Sequence, residues 1–254
     1  MTRYFISDLH LDETRPDITH ALLTLLKDLK GRATQLFILG DFFESWIGDD
    51  ENTPLQQTIS AALRTLADSG TELFLMHGNR DFLIGEHFAR ASGCHLLDDP
   101  SVILHGTERV LLMHGDSLCS HDASYMKFRA TIRNPNFLAP FLKRPLEERR
   151  STAAQLRAMS KQNNRQKASD IMDVNPDEIP QALRTANARL LIHGHTHRPA
   201  IHRFDLDGQP AARVVLGDWD EKVWLIRHPA NQPLELCCYP LTGSLHDVRV
   251  ADRL

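Results

Sequence analysis

Five short apolar runs, each closed by a polar cluster with glycine in or beside it, constrain this chain more than any other feature of its sequence. Tyr4–Ser7 ends in Asp8-Leu9-His10, and Gln35–Leu39 in Gly40-Asp41. Glu72–His77 ends in Gly78-Asn79-Arg80-Asp81, Arg109–Met113 in His114-Gly115-Asp116, and Arg189–His193 in Gly194-His195-Thr196-His197. Continuous apolar runs of this length are written for strands buried on both faces. Open α/β sheets gather their ligands at the carboxyl ends of such strands. Asp, Asn and His side chains arriving there from separate strands suit divalent cations held at one sheet edge.

The gaps between the runs supply the connections. Residues 16 to 30 carry Ile18, Leu22, Leu25, Leu26 and Leu29 at helical spacing, and residues 54 to 69 carry Leu55, Ile59, Leu63 and Leu66 likewise. The first part is therefore expected to run β-α-β-α-β. After Pro199, Ala200–Leu206, Ala211–Leu216, Lys222–Arg227 and Leu234–Tyr239 read as consecutive strands with antiparallel pairing, and Asp207-Gly208 is a turn signal between the first two. An α/β fold of two mixed sheets packed face to face and flanked by helices accommodates both halves. Residues 117–180 interrupt it with helical, basic sequence and are expected to form an inserted cap, leaving 1–116 and 181–254 as the core. In the cap, Asn134-Pro135, Ala139-Pro140 and Arg144-Pro145 are expected to break the first half into short pieces, whereas Thr152–Met172 runs without proline as one helix.

Composition narrows the class. No apolar stretch of the 254 residues is long enough to cross a bilayer, and Met1-Thr2-Arg3-Tyr4-Phe5 leads straight into a strand without the apolar region of a secretory signal. A cytoplasmic chain is expected. Cys94, Cys119, Cys237 and Cys238 have neither metal nor disulfide spacing and read as inert thiols. The net charge of −4 hides an asymmetry: between Ser120 and Asp170 there are eleven basic and four acidic residues. These basic residues cluster on one insert without an aromatic stacking platform, which argues against nucleic acid as a partner. No obligate protein partner is evident.

Each polar cluster alone has a plainer reading as a cap, a tight turn or a hydrogen-bonded core group. His195 and His197 are more telling, because residues i and i+2 of an extended segment point to one side. The joint order D-x-H, G-D, G-N-R-D, H-G, G-H-x-H resembles that of the calcineurin-like binuclear metallophosphoesterases. That resemblance implies an αββα sandwich in which Asp8, His10 and His197 hold one metal and Asn79, His114 and His195 a second, with Asp41 bridging. The mixed oxygen and imidazole set, without thiolate, disfavours Mg²⁺ and fits Mn²⁺, Fe or Zn²⁺; of these, two Mn²⁺ per chain are expected. Arg80, directly after a ligand, is placed to pair with phosphate oxygens; the plainer alternative is a salt bridge to Asp81. Asp81 and Asp116 read as residues that orient histidines or backbone. His77 and His193, inside their strands, read as core hydrogen-bonding groups, and His20, His87, His246 and the other histidines as surface residues.

The cap discriminates among relatives. Arg157, Ser160, Asn164 and Lys167 recur along one helical face, and Phe128, Ile132, Phe137, Leu138, Phe141, Leu142 and Leu146 interleave with Lys and Arg, a pattern suited to acyl chains or an anionic membrane surface. The runs I-S-D-L-H-L, G-D-F-F-E-S-W-I-G-D-D, G-N-R-D-F-L, L-M-H-G-D and I-H-G-H-T-H-R-P, together with the cap, are similar to those of the bacterial UDP-2,3-diacylglucosamine pyrophosphohydrolase family of lipid A biosynthesis. The similarity implies hydroxide attack on the α-phosphorus of an acylated UDP-sugar, giving UMP and 2,3-diacylglucosamine 1-phosphate (lipid X). It also implies catalytic roles for Arg80 and His195, and substrate contacts at Asn79, Arg80, Asp122, Ser160, Asn164, Lys167 and His195. A peripheral position on the cytoplasmic face of the inner membrane is the corresponding expectation. A soluble nucleotide pyrophosphatase or cyclic-nucleotide phosphodiesterase on the same site is the nearest rival, and its cap has no need of Phe137, Leu138, Phe141 and Leu142.

Overall fold

The computed structural model describes residues 2–164 and 173–254, apart from the side chains of 161–164. Strands β1 (Thr2–Ile6), β2 (Gln35–Leu39) and β3 (Glu72–Met76) are parallel neighbours linked by α1 (Pro16–Leu29) and α2 (Pro54–Ala67), as the apolar runs predict. Pro16 opens α1 in its first turn, and α2 begins with a reciprocal cap in which Thr53 and Gln56 each bond the other's backbone N–H. The chain continues through α3 (Glu86–Ser92), β4 (Cys94–Leu97), β5 (Ser101–His105) and β6 (Glu108–Leu112). The cap helices α4 (Ala123–Ile132), α5 (Pro135–Leu142) and α6 (Leu146–Asn164) come next. Then follow α7 (Glu178–Ala186), β7 (Leu190–His193), β8 (Ala200–Leu206), β9 (Gln209–Val215), β10 (Lys222–Pro229), β11 (Glu235–Pro240) and β12 (Arg249–Arg253).

Two mixed sheets result, one in the order β12-β11-β10-β1-β2-β3-β4 and the other β5-β6-β7-β9-β8. Of the consecutive late strands, β8 pairs antiparallel with β9 and β10 with β11, but β9 and β10 lie in different sheets, so the chain crosses between layers at Leu216 to Glu221. Period-2 alternation sorts the side chains. Phe5, Phe37 and Leu39 face the second sheet with Val110, Leu112, Ile192 and Val214, while Tyr4, Ile6, Leu36 and Ile38 face α1 and α2. Phe5, Phe37 and Phe74 occupy one register line and stack at 4.9 and 4.7 Å. Leu111 and Leu191 turn outward to meet Leu118, Val174, Ile179 and Leu183, so α7 and its lead-in pack against the smaller sheet.

The cap is built differently. Pro135 starts α5 and Pro145 precedes α6, but Ala139-Pro140 breaks nothing: Pro140 sits inside α5, which continues to Leu142 without that residue's N–H bond. Of α4 only Ile132 is buried, and of α5 only Phe141. Arginines fasten these helices to acids and carbonyls of the core. Arg129 donates to Asp116 at 2.8 Å, and Arg133 to Asp116 at 3.2 Å and to the Gly78 carbonyl at 2.9 Å. Buried Arg149 donates to the Ile47 carbonyl at 2.6 Å and to Asp50, while Arg150 and Arg157 reach Glu51 and Glu44 at 2.9 and 2.8 Å. Much of the cap's basic surplus is thus spent on attachment.

The four cysteines carry free thiols, and burial pushes Cys94 and Cys237 up to about 11 and Cys119 up to about 12. His20, His87 and His246 are exposed as expected, whereas His228 is buried and stacked on His105 at 3.5 Å. Among the described residues no helix is long and apolar enough to cross a membrane.

Candidate metal centre

The carboxyl ends of six parallel strands from both sheets converge on one edge. Asp8 and His10 follow β1, Asp41 follows β2 and Asn79 follows β3. His114 follows β6, His195 and His197 follow β7, and Asp218 follows β9. Two groups form: Asp8, His10 and His197 present ligand atoms within 4.8 Å of one another, and Asp41, His114 and His195 do the same. Asn79 joins the second group, its Oδ1 3.0 Å from His114 Nε2. Asp41 stands between them, one oxygen 4.0 Å from His10 Nε2 and the other 3.7 Å from His114 Nε2. All seven residues singled out from the sequence are therefore brought together.

The backbone shows how this is done. Among the non-glycine residues with positive φ are Asp8 (56°), His10 (50°), Asp41 (49°), His195 (69°) and His197 (56°). Such conformations are sparsely populated for non-glycine residues, cluster at functional sites and persist only where surroundings enforce them. Enforcement is visible here. Fully buried Asp81 accepts from the N–H groups of Phe42 (2.7 Å) and Gly78 (2.8 Å), clamping the β2 and β3 exits together. Asp8 accepts the His195 N–H at 3.0 Å on both oxygens, joining the two sheets. Glycine is required at the closest approaches: a Cβ on Gly78 would lie 2.1 Å from the Asp41 nitrogen, and one on Gly194 2.2 Å from Asp8 Oδ2.

Electrostatics follow from burial and crowding. Burial alone would raise Asp8 and lower His197, but each corrects the other: His197, His114 and His10 hold Asp8 well below the usual carboxylate range, and Asp218 with Asp8 holds His197 up at about 10. His114 is likewise lifted to about 9 against its burial by Asp41, Asp116 and Asp8, whereas burial beside His114 pushes His195 down to about 4. The carboxylates that lift His114 and His197 would equally favour a cation in the place of the proton. His10 Nε2 and His197 Nε2 face each other at 3.3 Å, a convergence of two imidazoles that a shared cation satisfies. The donor set is entirely oxygen and imidazole nitrogen, and it fits a pair of divalent cations.

Supporting residues fall partly where expected. Asp116 accepts from Tyr125, Arg129 and Arg133 and so ties the cap to the edge, rather than bonding a histidine. Arg80 does not pair with Asp81; its guanidinium lies 4.0 Å from Asp41 and 3.7 Å from Glu44, and its backbone N–H donates to Asp41 at 2.8 Å. His77 bonds the Ile84 carbonyl at 2.7 Å, and His193 the Gly194 carbonyl at 2.8 Å, both as core groups. Asp218, 3.5 Å from His197 Nδ1, escapes the sequence reading. The signal is present, since Leu216-Gly217-Asp218 repeats Leu39-Gly40-Asp41.

Two clefts flank the cluster. One is an apolar pocket of about 280 Å³ between core and cap, walled by Trp46, Phe137, Leu138, Phe141 and Leu156 and opening on Asn79 and Arg80. The other is polar and includes His10, Glu44, His197 and Asp218; Arg80, Arg157 and Ser160 line both. Asp122 lines neither and instead caps α4 by accepting from the Tyr125 N–H at 3.0 Å. The Asn164 side chain and Lys167 lie outside the described residues.

Comparison with known proteins agrees with this geometry. The calcineurin-like phosphoesterase family profile matches residues 1–199. A UDP-2,3-diacylglucosamine hydrolase of Marinobacter nauticus is 57% identical over 242 residues, covering 95% of this chain and 99% of its own. That of Pseudomonas entomophila is 57% identical over 222 residues, 87% of this chain and 92% of its own. Among solved structures, the E. coli phosphoesterase Yfce superposes with a TM-score of 0.50 at 16% identity, covering all of this chain and 98% of that one, a likeness of fold. This chain belongs to the calcineurin-like phosphoesterases and, within them, to the family of the UDP-2,3-diacylglucosamine hydrolases.

Proposed function

We propose that this chain hydrolyses the pyrophosphate bond of UDP-2,3-diacylglucosamine, releasing UMP and 2,3-diacylglucosamine 1-phosphate for lipid A biosynthesis. The observation that carries the reading is the apolar pocket opening directly onto Asn79 and Arg80: a site for a soluble nucleotide needs no such wall beside its phosphates. The pyrophosphate lies at the metal edge and the acyl chains enter between α5 and α6. In this reading residues 117–180 supply the cap that selects the substrate.

Asp8, His10 and His197 would hold one cation and Asn79, His114 and His195 the other, with Asp41 shared between them; Mn²⁺ is the metal proposed on the mixed donor set. Bound cations supply a hydroxide near neutral pH and offset phosphate charge. Arg80, one third exposed where the two clefts meet, donates to phosphate oxygens as charge develops on them. His195, its ring 5.1 Å from that of His114, would face the same phosphate. The leaving group is a sugar phosphate, already a stable anion, so no strong general acid is required of the protein. Ser160, Asn164, Lys167 and Asp122 are the proposed remaining substrate contacts, Asp122 acting from the start of α4.

The cap also suits an anionic membrane surface. Phe128, Leu142 and Met159 are exposed, and exposed Lys127, Lys143 and Arg144 stand beside the first two. This supports the reading of a peripheral protein on the cytoplasmic face of the inner membrane. The deciding assay follows UMP release from UDP-2,3-diacylglucosamine, UDP-glucose and a nucleoside diphosphate with Mn²⁺ present. Strong preference for the acylated compound is expected; equal rates on all three would overturn the lipid reading and keep the phosphoesterase one.

A further inference from the structure

Glu44 belongs to no ligand set, yet it touches three parts of the site. Its backbone is fixed by the parallel pairing of the β1 and β2 exits: Leu11 donates to Phe42 at 3.0 Å, and Glu44 donates to Leu11 at 3.1 Å. That pairing sets its half-buried carboxylate beside His10, with Oε2 3.1 Å from His10 Nδ1, a close charge contact rather than an aligned hydrogen bond. The other oxygen lies 2.8 Å from Arg157 Nη2 on α6 and 3.7 Å from Arg80 Nη1. A negative charge this close favours the proton on Nδ1 and so leaves the Nε2 lone pair facing His197 and Asp41. We infer that Glu44 is a positioning residue that fixes the tautomer of His10 and, through Arg157, ties the seating of the cap helix to the first cation site. The inference rests on the ligand assignment proposed above, and it makes substrate selection and cation binding share one carboxylate.

The two roles separate in substitution. Glu44→Ala removes both, Glu44→Gln keeps an acceptor for His10 but removes the charge that holds Arg157, and Arg157→Ala removes only the cap contact. Full-length proteins, each shown to be folded by circular dichroism, are titrated with Mn²⁺ by electron paramagnetic resonance, a measurement independent of the substrate. In Glu44→Ala one of the two Mn²⁺ equivalents is expected to weaken by about 10–100-fold, the usual effect of removing a group that orients a ligand. Glu44→Gln is expected to recover most of that affinity, and Arg157→Ala to keep both equivalents unchanged. With UDP-2,3-diacylglucosamine, Glu44→Gln and Arg157→Ala are expected to raise KM alike, and the double variant no further. Wild-type Mn²⁺ affinity in Glu44→Ala, or KM effects that multiply in the double variant, would overturn the inference. If no variant turns over that substrate, the substrate reading fails while the titration still tests Glu44.

Discussion

The metal edge and the cap meet in one site but are held by opposite means. At the edge, five of the seven candidate ligands sit on left-handed backbone, held by buried Asp81 and by glycines that admit no Cβ, with Phe37, Leu39 and Leu112 packed just behind. In the cap, few residues are buried and attachment runs through guanidinium groups reaching core acids and carbonyls. Groups that must be held within fractions of an ångström are built on packed strand ends, whereas the proposed selection of a bulky substrate falls to an element that polar contacts seat.

The largest effect belongs to the edge. Asp41→Asn weakens the carboxylate shared by both groups, and since losing a group that merely supports a ligand costs about 10–100-fold, loss here should exceed about 100-fold in kcat. Inductively coupled plasma measurement should show fewer than two cations retained per chain, and full retention with full activity would end the distinction between edge and cap. Next is the attachment itself. Arg149→Met keeps the buried stem but leaves the Ile47 carbonyl without its donor, which costs about 1–3 kcal/mol. A thermal melt a few degrees lower, with α6 cut earlier by protease than the core, is the expected result; an unshifted melt would mean the arginine contacts do not seat the cap.

Much of this was legible in the sequence because strands covered on both faces must be written as continuous apolar runs. Elements without that obligation were missed. β12 (Arg249–Arg253) is an edge strand with alternating exposure, β5 (Ser101–His105) pairs on one side only, and β4 is four residues long. The ligand clusters were legible because each lies directly beyond its strand. Asp218 was not, since its strand, β9, read as part of an antiparallel run although it is parallel to β7. Pairings such as Arg157 with Glu44 are set by how α6 lands on the core, and no local pattern encodes them.

The third effect tests the pocket. Phe137 lines it and stacks near Phe141 at 5.9 Å; burial of an aromatic side chain contributes about 1.5–3 kcal/mol. Phe137→Ala should therefore lower kcat/KM for the acylated substrate about 10-fold or more relative to UDP-glucose. A uniform loss on both would move the acyl chains elsewhere.

The smallest effect tests whether the cap's remaining charge has a use. Arg129, Arg133, Arg149, Arg150 and Arg157 are engaged with core groups, but exposed Lys143 lies next to exposed Leu142 at the end of α5. Near an anionic bilayer one such charge is worth about 1 kcal/mol, so Lys143→Gln should weaken binding to phosphatidylglycerol vesicles about 5-fold at low salt. The effect should fade as salt shortens the screening length, which a sedimentation assay at two ionic strengths reads directly. Arg150→Gln, already paired with Glu51, should change vesicle binding less than Lys143→Gln does. Equal losses from the two would mean that the cap meets membranes by total charge alone, without a face of its own.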